Sequence, residues 1–294
     1  MNDREISAFQ AVADAGSFTE AAAALRLTQP AISKRIAALE ARLGTPLFDR
    51  VGRQVTLTAA GTLFQAESRK VVAAMADLER AVANLASAPV GTLTMATSHH
   101  IGLHRLAPVL KSLNRDYPDI ALDLRFEDSE DAADAVARGE VELAVVTLDP
   151  KGYTVLEAQP IWHDPLTIMV ARDHPLAGEA PTAPAALLAH NAILPGEKTY
   201  TGRLVLELFA AARLDLKPHL TTNYLETIAM LVSAGLGWSM LPQTMLGDRV
   251  ALPLAASAER MLGIVTNPRR VRSMPARVFE TVLRGFADED LLSP

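Results

Sequence analysis

The sequence predicts a small helical domain bearing a β-wing, one long helix, and an α/β remainder with room for two subdomains. Three observations carry this expectation. Two short helical patterns joined by a tight turn precede two extended pieces around Gly52. Apolar residues then recur at heptad spacing from Phe64 to Leu85. Beyond Pro89 and Gly91 the pattern changes to strands alternating with helices, the order that builds parallel sheets with crossover helices. At 294 residues the chain exceeds one typical core and suits a small domain plus a larger one or two.

The opening segment, Glu5 to Ala15, places Ile6, Phe9, Val12 and Ala13 at helical spacing, and Gly16 stops it. Ser17 is an N-cap before Phe18, with Glu20 at the capping-box position. The helix through Ala21 to Ala24 ends near Leu25 to Leu27, and Thr28 caps the next one. Pro30 falls in its first turn, where a missing N–H costs little. Ile32, Ile36, Leu39 and Leu43 follow on one face, leaving Gln29, Ser33, Lys34 and Arg35 on the others, and Gly44 closes the helix. Ala21 and Ala22 allow close helix approach, so the pair meets the demands of a helix-turn-helix. Leu47 to Leu57 reads as a wing with Arg53 at its tip.

Thr58 caps a long helix, Ala59 to about Ala86. Its apolar positions Phe64, Val71, Met75, Leu78, Val82 and Leu85 step by 7, 4, 3, 4 and 3, a coiled-coil seam rather than a broad globular stripe. At about 1.5 Å per residue such a helix cannot bury the seam alone. A second copy of the helix is the expected partner; the competing reading packs the seam on the chain's own C-terminal domain.

In the remainder, strands are expected at Thr92–Ala96, Ile120–Phe126, Val141–Thr147, Pro165–Ala171, Ala192–Leu194, Lys217–Thr222, Gly237–Leu241 and Met261–Thr266. Helices are expected at Leu103–Asn114, Glu130–Arg138, Gly202–Arg213, Leu225–Ala234 and Pro275–Ala287. The domains divide as 1–58, 59–88 and 89–294, the last into one subdomain of about 89–163 with 267–294 and another of about 164–266.

Composition narrows the function. No stretch offers about eighteen uninterrupted apolar residues, so no membrane span is expected, and the N-terminus, with Asp3, Arg4 and Glu5, lacks the pattern of a secretory signal. There are no cysteines, which excludes disulfides, thiolate metal sites and cysteine redox sensing. A cytoplasmic location is the expectation. The net charge of −6 argues against nucleic acid, but residues 26–53 carry Arg26, Lys34, Arg35, Arg42, Arg50 and Arg53 against only Glu40 and Asp49. A local basic face, not whole-chain charge, is what meets phosphate.

The segments Phe9–Gln10–Ala11–Val12–Ala13, Gly16–Ser17–Phe18–Thr19–Glu20–Ala21–Ala22 and Thr28–Gln29–Pro30–Ala31–Ile32–Ser33–Lys34–Arg35–Ile36 together resemble the LysR-type transcriptional regulators. Leu39–Glu40, Leu43–Gly44, Leu47–Phe48–Asp49–Arg50 and Leu57–Thr58–Ala59–Ala60–Gly61 extend the likeness. Pro89–Val90–Gly91–Thr92–Leu93 and Gly235–Leu236–Gly237–Trp238–Ser239–Met240–Leu241–Pro242 carry it through the C-terminal part. The resemblance implies a winged helix-turn-helix, a dimer-forming linker helix, and an effector domain built like a periplasmic binding protein. It also implies double-stranded operator DNA as partner, a small-molecule effector between the subdomains, homodimers assembled into homotetramers, and RNA polymerase if the protein activates. Where many relatives have arginine, Lys34 keeps the charge and loses the bidentate geometry.

On that scaffold Gln29, Ser33 and Lys34 face base edges, beginning beside Pro30 in the first turn, while Thr28 and Arg35 meet phosphate. Arg53 suits a narrow minor groove. A lone basic residue is usually only a solvated charge; the helix-turn-helix context favours DNA contact. For the effector, Thr97, Ser98 and His99 at a strand-to-helix turn make an anion site with the helix-start amides. Thr199, Thr201 and Gly202 grip the other end, and Thr147 and Asn223 complete the lining that the resemblance implies. Any one such Ser or Thr alone is more often a cap; their convergence supports a small anionic ligand.

His99, His100 and His104 invite a metal reading, with the last two four residues apart. No carboxylate or cysteine stands near them at ligand-like spacing, so no metal is expected. Trp162 and Trp238 read as core aromatics. A regulator without a small-molecule response, a solute-binding protein and an enzyme are the competing classes. Neither a glycine-rich phosphate loop nor a nucleophile elbow nor a zinc motif occurs, so neither catalytic residue nor cofactor is expected.

Overall fold

The computed structural model describes residues 1–51, 54–85, 88–178, 183–252 and 258–291. The chain forms two compact units, Met1–Glu79 and Arg80–Pro294. Among the described residues no helix is long and apolar enough to cross a membrane.

The first unit holds helices α1 (Asp3–Ala15), α2 (Phe18–Ala24) and α3 (Gln29–Leu43), strands β1 (Phe48–Val51) and β2 (Gln54–Leu57), and most of α4 (Ala59–Ala83). The N-terminus of α1 is capped by a reciprocal pair, Asn2 with Glu5, which the sequence reading placed two residues late. Ser17 accepts from the Glu20 amide as expected. Gly16 and Gly44 close α1 and α3 in the left-handed region, at φ 60° and 70°. Phe9, Val12, Ala21, Ile32, Ile36 and Leu39 meet in one core, and Phe9 packs against Phe48 at 5.1 Å. The Glu40 carboxylate accepts from the amides of Leu47 and Phe48, fixing the base of the wing to α3.

Arg26, in the turn between α2 and α3, has φ 54°. The left-handed region costs a side-chain-bearing residue about 1–2 kcal/mol, and glycine returns about 0.5–1 kcal/mol of that as lost chain entropy. Arg26→Gly should therefore stabilise this unit by about 0.5–1 kcal/mol, read as slower amide exchange in α1–α3. Faster exchange in the variant would mean that the arginine contributes more than its backbone costs.

The second unit begins with the end of α4, where Arg80 donates to the Val271 carbonyl and Asn84 to that of Arg272. In order it then contains β3 (Gly91–Thr97), α5 (His99–Ile101), a π turn (Gly102–Leu106), α6 (Ala107–Asp116), β4 (Ile120–Phe126), α7 (Ser129–Arg138) and β5 (Leu143–Thr147). There follow β6 (Glu157–Val170), α8 (Pro184–Leu187), β7 (Ile193–Leu194), α9 (Tyr200–Ala211), β8 (Leu220–Thr221) and α10 (Leu225–Ser233). The unit ends with β9 (Ser239–Pro242), β10 (Val250–Leu252), β11 (Ala258–Thr266) and α11 (Met274–Arg284).

The expected parallel pairing holds for β3 with β4 and β5, and for β7 with β8. It fails for β6, which pairs antiparallel with β9, β10 and β11, and for β11 against β5. The reason is topological: the chain leaves the first subdomain along β6 and returns along β11, so the two must run in opposite directions. One core gathers Leu93, Met95, Leu143, Ile161, Trp162, Leu262, Ile264 and Phe279; another gathers Leu166, Ile168, Val205, Phe209, Trp238 and Met240. Leu262 and Ile264 thus pack with the first subdomain, and the return crossing falls near Arg260 rather than after Thr266. Trp162 donates to the Phe286 carbonyl, and Trp238 to that of Leu187 while stacking on Phe209.

Candidate functional site

In the first unit, α3 presents its N-terminal turns to solvent. Gln29, Pro30 and Lys34 are exposed, and Ser33 and Arg35 half-buried. Gln29 donates to the Ser33 hydroxyl at 3.0 Å, which holds the two polar tips side by side. Thr28 occupies the N-cap position without making a side-chain cap, leaving its hydroxyl to the outside. Arg42 does not join this face; it grips Glu5 through two hydrogen bonds of 2.8 and 3.2 Å. Arg53 lies outside the described residues.

Along α4 the heptad residues separate. Phe64 turns into the first unit's core, with its ring 4.7 Å from that of Phe9, and so leaves the expected seam. Val71, Met75, Leu78, Val82 and Leu85 stay 40–85% exposed.

In the second unit a cleft partly open to solvent lies between the two subdomains. Ser98, His99, Thr147, Thr199, Thr201 and Asn223 line it, six of the eight residues expected there. Ser98 is the N-cap of α5 but spends no side-chain hydrogen bond on capping. His99 is sandwiched between Phe126, stacked at 5.0 Å, and Tyr224, edge-on at 4.9 Å. Thr199 caps α9, accepting from the Gly202 amide and donating to the Gly196 carbonyl.

Two expected residues are not part of the lining. Thr97 is fully buried and donates to the Val145 carbonyl at 2.8 Å, so its hydroxyl joins β3 to β5. Gly202 is a packing residue: a Cβ there would meet the Gly196 carbonyl oxygen at 2.3 Å. The start of α9 can approach that loop only through glycine, and the Gly202 amide is consumed by Thr199.

The sequence reading missed Arg260, which sits at the crossing of β11. It is 4% exposed; its Nε donates to Asp164 at 2.7 Å and its Nη1 to Thr201 at 2.7 Å. Its Nη2 is buried with no partner, and the residue lines the cleft. The one signal available was a pair of charges, Glu259 and Arg260, at the start of an apolar run. Asp128, Ser129, Glu130 and Tyr200 were missed too. The Asn223 side chain donates to Asp128, and the Tyr200 amide to Glu130, so both acids tie one subdomain to the other. Burial raises the Glu130 carboxyl above the ordinary glutamate value.

His100, also in the cleft wall, is 4% exposed, with its Nε2 4.0 Å from Asp164 and its Nδ1 3.7 Å from Glu226. Burial pushes its imidazole below the ordinary histidine value. His104 Nε2 lies 3.2 Å from the same Glu226 oxygen. The neighbouring His100, then His104, hold the Glu226 carboxyl below the usual range.

Residues 4–62 match the family described as the bacterial regulatory helix-turn-helix protein, lysR family, and residues 86–288 match the LysR substrate binding domain. This chain belongs to the LysR family of transcriptional regulators. It is 34% identical over 81% of its length to an uncharacterized HTH-type transcriptional regulator, YnfL, of Escherichia coli K12, covering 81% of that protein. Its fold is shared with full-length CbnR complexed with the target DNA, at a TM-score of 0.67 and 21% identity, over 98% of this chain and 100% of that one. The CcmR regulatory domain of Synechocystis PCC6803 in complex with 2-PG aligns with a TM-score of 0.62 and 23% identity, over 68% of this chain and 98% of that one. The LysR membership makes this chain a DNA-binding transcriptional regulator and not an enzyme.

Proposed function

We propose that this LysR regulator changes its grip on double-stranded operator DNA when a small molecule carrying an anionic group enters the cleft between its subdomains. The supporting observation is the unpartnered Nη2 of Arg260, buried in the cleft wall. A buried guanidinium N–H without an acceptor is costly, and a ligand oxygen relieves that cost with a charge-assisted hydrogen bond. The uncommitted Ser98 hydroxyl supplies a second donor. Asp128 and Glu130 line the same cleft and are tied to the opposite subdomain through Asn223 and Tyr200, so the anionic group is placed at Arg260 and Ser98 and not beside them.

On the DNA side, Gln29, Ser33 and Lys34 read base edges, with Pro30 starting the helix and Thr28 and Arg35 on phosphate. Arg53 is assigned to the minor groove from its sequence position alone. The exposed seam from Val71 to Leu85 pairs with its copy in a homodimer. Homotetramers, and contact with RNA polymerase if the protein activates, rest on the family pattern. Residues 1–58, 59–88 and 89–294 are the working division into DNA-binding, linker and effector parts.

Footprinting on the DNA upstream of the protein's own coding region, with and without a panel of small carboxylates and phosphates, tests the reading. A protected two-fold site whose extent changes with one compound is the expected result; protection indifferent to all of them would leave a regulator without this response. With the active compound in hand, Ser98→Ala should weaken effector binding about tenfold, the worth of one hydrogen bond to a charged group. Its DNA affinity without effector should not change. Unaltered effector affinity in that variant would remove Ser98 from the site.

A further inference from the structure

We propose that His100, His104 and Glu226 form a binding site for one divalent transition-metal ion, of zinc-like preference, that clasps the two subdomains together. The potential ligand atoms of the three residues all lie within 4.8 Å of one another. Glu226 Oε1 stands 3.2 Å from His104 Nε2 and 3.7 Å from His100 Nδ1. Bonds of about 2.0–2.1 Å at tetrahedral angles put ligand atoms about 3.3 Å apart, so the set needs only side-chain adjustment to close on an ion. Two imidazoles and one carboxylate suit zinc, cobalt or nickel, not calcium or magnesium, which take oxygen ligands.

A second observation points the same way. His100 Nδ1, His100 Nε2 and Glu226 Oε1 are all buried, and their contacts with one another and with His104 and Asp164 make no well-aligned hydrogen bond. Buried polar atoms in native proteins are nearly always satisfied, and each exception needs a reason. An ion on Nδ1 and Oε1 supplies one. Asp164, 4.0 Å from Nε2 and wholly buried, then stands where a carboxylate orients a metal-bound histidine from behind. Asp164 also takes Arg260 at 2.7 Å and has Arg105 at 3.6 Å, so both guanidiniums beside it are matched by its carboxylate.

The local backbone fits. The π turn Gly102–Leu106 begins two residues after His100 and contains His104, and the two rings lie 4.8 Å apart between centroids. Single π turns inside helices recur at functional sites. The two histidines belong to the helical segment after β3, whereas Glu226 is in the first turn of α10, on the opposite subdomain. An ion held by all three stabilises the arrangement in which the subdomains are drawn together. Only His100 of the three lines the effector cleft, and the proposal does not depend on the anionic nature of any effector.

The test uses the full-length protein, stripped with a chelator and titrated with Co²⁺, whose visible bands report tetrahedral coordination, and with Zn²⁺ in competition. One ion per chain is expected, and Zn²⁺ should raise the Tm. His104→Ala and Glu226→Gln should each weaken binding by at least about 100-fold, more than the loss of an outer partner causes. Their far-ultraviolet circular dichroism should stay at the wild-type level. His190→Ala, from the separate His174–His190 pair at 4.6 Å, should leave binding unchanged. Absence of stoichiometric binding, or equal binding in His104→Ala and Glu226→Gln, would overturn the site and leave a simple histidine–glutamate ion pair.

Discussion

Asp164→Asn should destabilise the second unit by about 3–5 kcal/mol, the cost of removing one partner from a buried ion pair. Asp164 is completely buried, takes the Arg260 Nε at 2.7 Å, and has Arg105 Nη2 at 3.6 Å. The amide keeps the shape and withdraws the charge, stranding one guanidinium in the interior and weakening the hold on another. Both tryptophans, Trp162 and Trp238, lie in the second unit, so urea unfolding followed by tryptophan fluorescence reads that unit alone. The midpoint should fall while the slope stays constant. A loss below about 1 kcal/mol would place the pair among those that are nearly neutral to replace. Since Asp164 holds Arg260 at the crossing of β6 and β11, the variant should also lose effector response.

Met75→Asp with Leu78→Asp should lower operator affinity by about 10²–10⁴-fold, the range that linking two DNA-binding heads provides. The two side chains are 45% and 66% exposed, and Val71, Val82 and Leu85 continue the same stripe. Each apolar side chain buried in a helix pair contributes about 1.5–3 kcal/mol, while a carboxylate in the seam has to be desolvated or leave. Sedimentation should show a monomer, and gel shift on a two-fold site should weaken in parallel. A monomeric variant that binds as tightly as wild type would show that one head suffices. Phe64 is no part of this seam: it packs partly buried on the core against Phe9, so its replacement would perturb the head as well as the dimer.

Elements written in a few neighbouring residues were readable. Ser17, Thr28, Pro30, Gly16 and Gly44 bound the helices of the first unit because caps and left-handed stops act over one turn. Strand β4 was expected at Ile120–Phe126 and is found there, since alternation and turn residues are equally local. The LysR motifs, being local too, identified the family.

Pairing across long separations was not readable. The antiparallel run of β11 on β6 depends on where the chain turns back, which no window of residues records. Arg260 reads as one stray charge until Asp164, 96 residues away, is folded against it. Thr97 and Gly202 looked like ligand contacts because hydroxyls and helix starts are what anions use; burial gave one to a strand and the other to a close backbone approach. The sequence alone determined the stops at Gly16 and Gly44, the helix-turn-helix, the exposed stripe from Val71 to Leu85 and the family, because each is carried by side chains within a few turns of one another. Tertiary structure alone decided which polar groups face the cleft and which acid meets the histidine pair. Glu226 reaches His100 and His104 only when two subdomains close, and a distance between subdomains has no period along the chain.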